Sequence, residues 1–516
     1  MKIFHEILQN TQASLFENNY FARTNRSEYQ VIKQVGAKIA KCFVNEFSRF
    51  LKKNISVFAL LGSGHNSADA IATLIELKKE YKNLQTTLLI PPREKLRSNT
   101  QKILDEFFSL GDVEITHNIS DIKKLKYNIV LEGLSGMSYR PPMREDMAEK
   151  INFANALETD IKISIDIPAG ISDTPENAPI FQADITYATA IAKHCLFNQQ
   201  YKKFVGRIRY IDVGFFDDNQ ECSSSKYVIN PQVLSVLKKL RPTLSDKRSF
   251  GRLLIISGSQ KYAGASLLNA KTAIRAGAGF VYSCIVEDFK PAFCASEPSV
   301  IWHACTIDEN GSIALENFSE INALAKLADA ILIGSGLTNS PETIALVKEI
   351  LKNNKNLPTV LDADAISKDV LENITEHTAP VIIAPHEGEF LRIATDVSDN
   401  TLLETAKKYS CTIALKSNIT RISDGQSIVL STRGCPALAR AGSGDILCAL
   451  MGSLLANKHL LSSIITPTDT NQIVAQKIAS IATQWLGETS ELIANQYTEN
   501  VLATSDIINF LHKPIS

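Results

Sequence analysis

The run ARAGSGDILCALMGSLLA carries Gly442, Ser443 and Gly444 directly before Asp445 and an apolar helical pattern. A tight turn of small residues opening a helix leaves backbone N–H groups unpaired at the positive end of the helix dipole. That is an anion hole suited to a transferring phosphoryl group. Asp445 at that position can take a proton from a substrate hydroxyl while the phosphate is held beside it. The same aspartate could equally cap the helix. Further chemistry-bearing residues follow apolar runs: Asp362 and Asp364 in LDADA, His386 between Pro385 and Glu387, and Lys416 in LKSNIT. The aspartate pair can orient Mg²⁺ through water or simply form a strand-end turn. Lys416 can hold phosphate as a mobile point charge. His386 can be a functional imidazole or a loop histidine bonded to backbone, and Glu387 with Glu389 can be a solvated rim.

The elements that position these residues follow one grammar. After an amphipathic opening of roughly 50 residues, ISVFALLGSG reads as a buried strand ending in glycines, followed by the helical ADAIATLIELKKEY. TTLLIPP, KYNIVLEGLSG, IKISIDIPAG and ADITYATA read as further strands bounded by turn residues. The polar stretch DDNQECSSSKYVINPQ breaks this pattern, so a domain boundary is expected between about residues 217 and 245. GRLLIISGSQ starts a second series of strands, continued by ADAILIGSG, PTVLDADA, APVIIAPH and CTIALKS. A helix-rich segment closes the chain from Asp445 onward. The reading is α/β throughout: a doubly wound domain over residues 1–225 and a second α/β domain over 226–516. Open parallel sheets place ligands at the carboxyl ends of their strands, where the polar loops above fall.

A chain of 516 residues exceeds the size of one ordinary core, which makes two domains the simplest count. Its 54 basic and 55 acidic side chains give a net charge of −1, so nothing global steers it toward nucleic acid or an anionic membrane. Small-molecule substrates fit better. The nine cysteines are scattered without a CxxC pair, which points to reduced thiols in a cytoplasm and away from a disulfide frame or zinc site. The opening residues have no apolar h-region, and the most apolar stretch, 446–456, is too short to span a bilayer. A cytoplasmic protein is expected, without membrane or nucleic-acid partners.

Six ordered segments identify a resemblance over residues 246–516: GRLLIISGSQKYAGASLLNAKTAIRAGAGFVY, ILIGSGL, VLDADAIS, APHEGEF, LKSNITRISDG and GCPALARAGSGDILCALMGSLLA. This half resembles the ADP/ATP-dependent NAD(P)H-hydrate dehydratases, members of the ribokinase-like superfamily. The resemblance implies that Ala265, Gly336, His386 and Asp445 contact the hydrated nicotinamide nucleotide. It implies that Lys416, Ser417, Asn418, Ile419, Thr420 and Gly444 hold ADP. In that chemistry the terminal phosphate of ADP, with Mg²⁺, activates the C6 hydroxyl of the hydrate, and Asp445 is the base. Ser417 and Ala441 stand where the family has glycine, and Asp246 where histidine is common. A Cβ at either glycine position is tolerated only if φ is negative.

Residues 1–225 resemble the NAD(P)H-hydrate epimerases, with a Rossmann-like sheet, through GSGHNSADA, VLEGLSGMSYRPP, ISIDIPAG and ADITYATAIAKHCLF. The implied substrate contacts are His65, Asn66, Ser67, Ala68, Asp69 and Asp166, with Asp166 and Lys193 as the proton-handling pair. Asn66 and Glu132 are the implied ligands of a potassium ion. Here Glu132 replaces an aspartate and Ala169 replaces a serine ligand, and Ser67, Ala68 and Ala70 replace glycines of the first loop, which puts the ion in doubt. The expected function is repair of hydrated NADH and NADPH by a homo-oligomer, with epimerisation active or vestigial. The competing reading is a ribokinase-like kinase of a small alcohol with a non-catalytic N-terminal binding module.

Overall fold

The computed structural model describes residues 2–51, 54–111, 113–217 and 224–515. Cys222 and positions 218–223 of the polar stretch lie outside the described residues. The chain divides into two compact units, Met1–Ser224 and Ser225–Ser516.

The first unit opens with strand β1 (Phe4–Leu8), helices α1 (Asn10–Arg23) and α2 (Glu28–Phe47), strand β2 (Ile55–Leu61) and helix α3 (His65–Glu80). It continues through β3 (Leu84–Leu89), β4 (Glu114–Thr116), β5 (Lys126–Gly133), β6 (Glu158–Ile165), β7 (Ile185–Thr189), β8 (Ala192–Lys193) and β9 (Arg207–Ile211). Seven strands form one parallel sheet in the order β4-β3-β2-β5-β6-β7-β9, and β1 pairs in parallel with β8. Six of the seven residues of β2 are buried, as a strand covered by helices on both faces requires. The chain leaves β2 in one direction and returns to β5 on its other side. The crevice between the ends of β2 and β5 is therefore the topological switch point.

Ser27 caps α2 by accepting from the Gln30 N–H, and the helix turns Val31, Val35, Ile39 and Phe43 inward. Gly36 lies against α3 so closely that a Cβ there would sit 2.5 Å from Ala72. At the helix end Glu46 accepts two hydrogen bonds from Arg209 of β9, at 2.8 and 2.6 Å, with both side chains buried.

The second unit contains β10 (Lys226–Ile229), β11 (Arg252–Ile256), α4 (Ala263–Arg275), β12 (Phe280–Val286), β13 (Ile301–Cys305), β14 (Ala330–Ile333), β15 (Thr359–Leu361), β16 (Val381–Ile383) and β17 (Thr412–Leu415). After β18 (Arg421–Ser423) and β19 (Ile428–Leu430) come α5 (Ser443–Ala456) and α6 (Asn471–Tyr497). Within this unit the strand order is β13-β12-β11-β14-β15-β16-β17-β18-β19-β10. The run from β13 to β17 is parallel, and β18 is antiparallel to both neighbours. The order reverses between β11 and β14, giving a second switch point.

Helix α5 packs across β11, β14 and β15 and between α4 and α6. This is why it is apolar all round: every residue from Ile446 to Ala456 is buried. The most apolar stretch of the sequence is thus a central core helix. Among the described residues no single helix is long and apolar enough to cross a membrane, and the described cysteines are free thiols.

Removing Glu46 would take away the buried carboxylate that accepts two hydrogen bonds from the Arg209 guanidinium. Glu46→Ala is expected to destabilise the first unit by about 3–5 kcal/mol, measured as a lowered denaturant midpoint at unchanged slope.

Candidate active sites

In the second unit the loops that follow β11, β14, β15, β16 and β17 supply Ala265, Gly336, Asp362, His386 and Lys416, from five strands neighbouring in the sheet. Parallel strands put all five loops on one edge, so topology alone gathers residues spread over 150 positions of sequence. Ala265 and Gly336 flank the switch point and touch: a Cβ on Gly336 would lie 2.8 Å from the Ala265 methyl and 2.9 Å from the Tyr262 carbonyl. Gly336 also has φ +66°, so a side chain there is excluded twice over. His386 and Lys416 are joined by a parallel bridge, and the Lys416 N–H donates to the Pro385 carbonyl at 2.8 Å.

The turn before α5 has Gly442 at φ +90°, where a Cβ would meet Leu268 at 2.6 Å. Gly442 is the residue before the first helical turn, and no side chain caps the helix. Asp445 sits in that first turn, so the capping alternative raised by the sequence does not hold. Lys416 Nζ lies over the turn, 3.2 Å from where a Cβ on Gly444 would be. Ala441 and Ser417 both have ordinary backbone conformations, so the two lost glycines cost no strain.

Lys416 donates to Asp362 Oδ1 at 3.0 Å and lies 3.9 Å from Glu389. Asp362 also accepts from the Ser335 hydroxyl at 2.9 Å. Burial works against the charge on Lys416, but Asp362 and Glu389 outweigh it and raise its pKa. Burial likewise opposes ionisation of Asp362, yet Lys416, Ser335 and the Cys448 thiol hold it below the usual carboxylate range. Asp445 is different. It is part-accessible at the floor of the cleft, yet enough protein crowds it that burial, with the neighbouring charge of Asp362, lifts its pKa to about 6 against the pull of Lys416. No donor hydrogen-bonds it. It is a free carboxylate poised beside a cation and a helix N-terminus.

The remaining sequence candidates fall into place with two corrections. Lys416, Ser417, Asn418, Ile419 and Thr420 form the hairpin loop from β17 to β18, with Ser417 and Asn418 exposed. His386 uses Nδ1 to accept from the Gly388 and Glu389 N–H groups at 3.0 and 3.2 Å, and its Nε2 lies 3.4 Å from Glu389 Oε1. Glu389 is not a solvated rim: it is buried and accepts from the His386 N–H at 2.8 Å. Asp364 is turned away to pair with Arg392 at 3.3 Å. Sequence reasoning missed Ser335 and Cys448. Cys448 carried a signal, since it lies three residues after Asp445 and so on the same helix face.

In the first unit Asp166 follows β6 and pairs with Lys193, both buried, with Lys193 also donating to the Thr189 carbonyl at 2.8 Å. Asp166 has φ +66° and Ala190 φ +60°, strained conformations that the packing around the pair holds in place. Asp69 of α3 lies in the field of this pair. Its pKa is pushed well up by burial, then by Asp166 and Glu17, against Lys193. Glu17 of α1 is pushed up to about 7, first by burial, in the field of the same two groups. Glu17 carries no motif that marks it, and it comes from a helix about 150 positions away from Asp166. His65 pairs with Glu28 at 3.3 Å. The Ser67 and Ala68 side chains are fully buried, and the Ser67 hydroxyl donates at 2.8 Å to the carbonyl of Gly133, the last residue of β5.

Asn66 and Glu132, the implied potassium ligands, both have protein partners. Glu132 is fully buried and accepts from the Leu134 N–H at 2.6 Å, the Ser164 hydroxyl at 2.8 Å and the Ala169 N–H at 3.3 Å. The Asn66 amide nitrogen donates to the Ile165 carbonyl at 3.0 Å and to the Ser135 carbonyl, while its buried Oδ1 has no hydrogen-bond partner among the described residues. Among the described residues no three His, Cys, Asp or Glu side chains gather in a metal-binding group.

The family model described as NAD(P)H-hydrate dehydratase matches residues 253–512. The chain belongs to the NAD(P)H-hydrate dehydratase family. A second model, YjeF-related protein N-terminus, matches residues 28–195. The chain is 27% identical over 452 residues to a bifunctional NAD(P)H-hydrate repair enzyme Nnr of Gloeobacter violaceus, covering 83% of this chain and 84% of the relative. It is 24% identical to the protein of that name from Moorella thermoacetica over 95% of this chain and 93% of the relative. A solved ADP/ATP-dependent NAD(P)H-hydrate dehydratase from Bacillus subtilis is similar at 23% identity and a TM-score of 0.42, over 55% of this chain and 96% of that one.

In this member of the dehydratase family the Glu132 carboxyl is pushed up to about 7 by burial, against its hydrogen bonds from Ser164, Leu134 and Ala169. The unfolded carboxyl releases its proton first, near 4.5. Between about 4.5 and 7 the folded unit therefore binds more proton, and stability falls as pH rises through that window. Glu132→Gln is expected to flatten this fall, which is on the order of 3 kcal/mol; denaturant unfolding at pH 5 and pH 7.5 of both proteins measures it.

Proposed function

We propose that the second unit dehydrates hydrated NADH and NADPH at the expense of ADP, and that the first unit interconverts the two C6 epimers of the hydrate. The observation that carries the first half is Asp445: an unbonded carboxylate, half-ionised near pH 6, in the first turn of a helix whose N–H groups face Lys416. A hydroxyl placed between that carboxylate and that helix end loses its proton to Asp445 as its oxygen attacks the terminal phosphorus of ADP, and AMP leaves. The phosphate ester then departs from C6 with its bonding electrons, and loss of the C5 proton restores the double bond of the dihydronicotinamide. Lys416 and the Gly444 N–H neutralise the phosphate, while Asp362 acts only through Lys416, keeping its ammonium over the turn. Ala265 and Gly336 are small because the nicotinamide end of the substrate must come close to backbone, and the exposed His386 ring, its Nε2 beside Glu389, borders the same end. Mg²⁺ bound to the nucleotide phosphates would neutralise charge on the leaving AMP.

The family match favours dehydration over phosphorylation of an unrelated small alcohol. For the first unit, epimerisation requires the C6–O bond to break and re-form on the opposite face, with a proton given and retaken. Asp166, held by Lys193, and Asp69, whose pKa is pushed well up by burial, supply those two functions around the switch-point crevice.

Asp445→Asn is expected to lower dehydration at least a hundredfold with ADP affinity within a few-fold of wild type, read as NADH absorbance regained from the hydrate and as nucleotide binding by calorimetry. In the wild type kcat/KM should rise with pH and reach half its plateau near pH 6, because the base works only when deprotonated; a flat profile from pH 5 to 8 would return Asp445 to a structural role. Epimer interconversion should vanish in Asp166→Asn. The two hydrates are followed by chromatographic separation.

A further inference from the structure

The second unit has a cavity of about 420 Å³ at the end of its sheet opposite the dehydration site. Phe250, just before β11, Gly277, just past α4, and Asn457, just past α5, all line it. Asp445 occupies the other end of α5, a helix of 14 residues and so about 20 Å long. The two sites are separate.

Charge singles this cavity out. Its walls include Lys239, Arg241, Arg275, His459 and His512, and no aspartate or glutamate, in a chain whose acidic and basic side chains otherwise balance. Cations near helix carboxyl ends can be there simply to answer the helix dipole. Arg241 does so, donating to the Gly277 carbonyl at 3.1 Å. Lys239 and Arg275 have no such partner: among the described residues neither makes a salt bridge or hydrogen bond through its side chain. Two unpaired cations facing one concave space, unopposed by any carboxylate, are complementary to an anion.

The floor is apolar and aromatic. Phe250 is held by the Arg241 guanidinium, 3.8 Å from its ring centre. Trp485 is fixed by a hydrogen bond from its Nε1 to the Leu511 carbonyl at 2.6 Å, and Leu460 packs beside it in the lining. A volume of this size suits a small organic ligand rather than a bare ion.

We propose that this cavity is a second ligand site, taking an organic phosphate that carries a flat ring, of the size of a nucleoside monophosphate. Lys239 and Arg275 hold the phosphate, and the ring lies against the Phe250 and Trp485 surface. The site is independent of the dehydration chemistry and does not rest on it.

The chain has two tryptophans, so Trp302→Phe makes Trp485 a sole reporter set in the wall of the cavity. Titration of that full-length protein with AMP is expected to change Trp485 emission saturably at sub-millimolar to millimolar concentration. Adding Lys239→Ala and Arg275→Ala should weaken the response at least tenfold while dehydration continues at the wild-type rate. Lys416→Ala, at the opposite end of the sheet, should leave the response intact, and adenosine or inorganic phosphate alone should bind at least tenfold more weakly than AMP. Emission that stays flat to 10 mM AMP, a response that survives the double substitution, or one that disappears in Lys416→Ala would overturn the proposal.

Discussion

The second unit depends on one ion pair, Lys416 with Asp362. Each partner is buried enough that burial alone would disfavour its charge, and each is kept charged by the other. The pair spans from β17 to the end of β15, strands separated by β16, and its position fixes where a phosphate can sit relative to the α5 turn. Ser335, from the loop after β14, completes the hydrogen bonding of Asp362, so the cation is braced from a third strand. Breaking either partner would strand a buried charge and cost more than the pair contributes. Its value lies in placing one positive charge over Gly444 in a cleft that otherwise gathers carboxylates.

A related problem is solved less completely in the first unit. Lys193 acts on Asp166, Asp69 and Glu17 alike. It is committed to Asp166 and the Thr189 carbonyl, and burial, with the neighbouring carboxylates, drives the pKa values of the other two acids up. Glu132 is handled by a third route, a buried carboxyl satisfied by N–H and O–H donors where a cation is the alternative.

The parts visible in the sequence are those set by local rules. The strands before the candidate loops are continuous apolar runs closed by glycine, proline or charged residues, and strands alternate with helices, so both the α/β fold and the strand-end placement of Asp362, His386, Lys416 and Asp166 could be read. Strands β12, β13 and β9 went unremarked because FVYSCIV, IWHAC and RIRYI mix polar and aromatic residues, a pattern that periodicity alone does not resolve. What could not be read were the contacts set by distance in space. Glu17 reaches its neighbours through helix packing, Glu389 is buried by a cap with His386, and Ser67 turns inward because α3 begins at His65 and carries it to the inner face.

Asp362 and Asp445 share one cleft and one cation, yet their environments push them in opposite directions. Asp362 receives the lysine, a serine hydroxyl and a thiol, and is held below the usual range; Asp445 receives none of these and is lifted to about 6. Two carboxylates whose pKa values are driven apart have different work. A group locked into three interactions cannot accept a substrate proton without surrendering its own partners, so Asp362 is the fixed counter-ion. A group with no donors, near the middle of its titration at mildly acidic pH and above a helix end that stabilises phosphate, gains by taking a proton, so Asp445 is the base. The same separation explains why Asp445 stays poised with Lys416 so near. The lysine is already drawn to Asp362, and the remaining field at Asp445 is too weak to bring its pKa back to that of an exposed carboxylate.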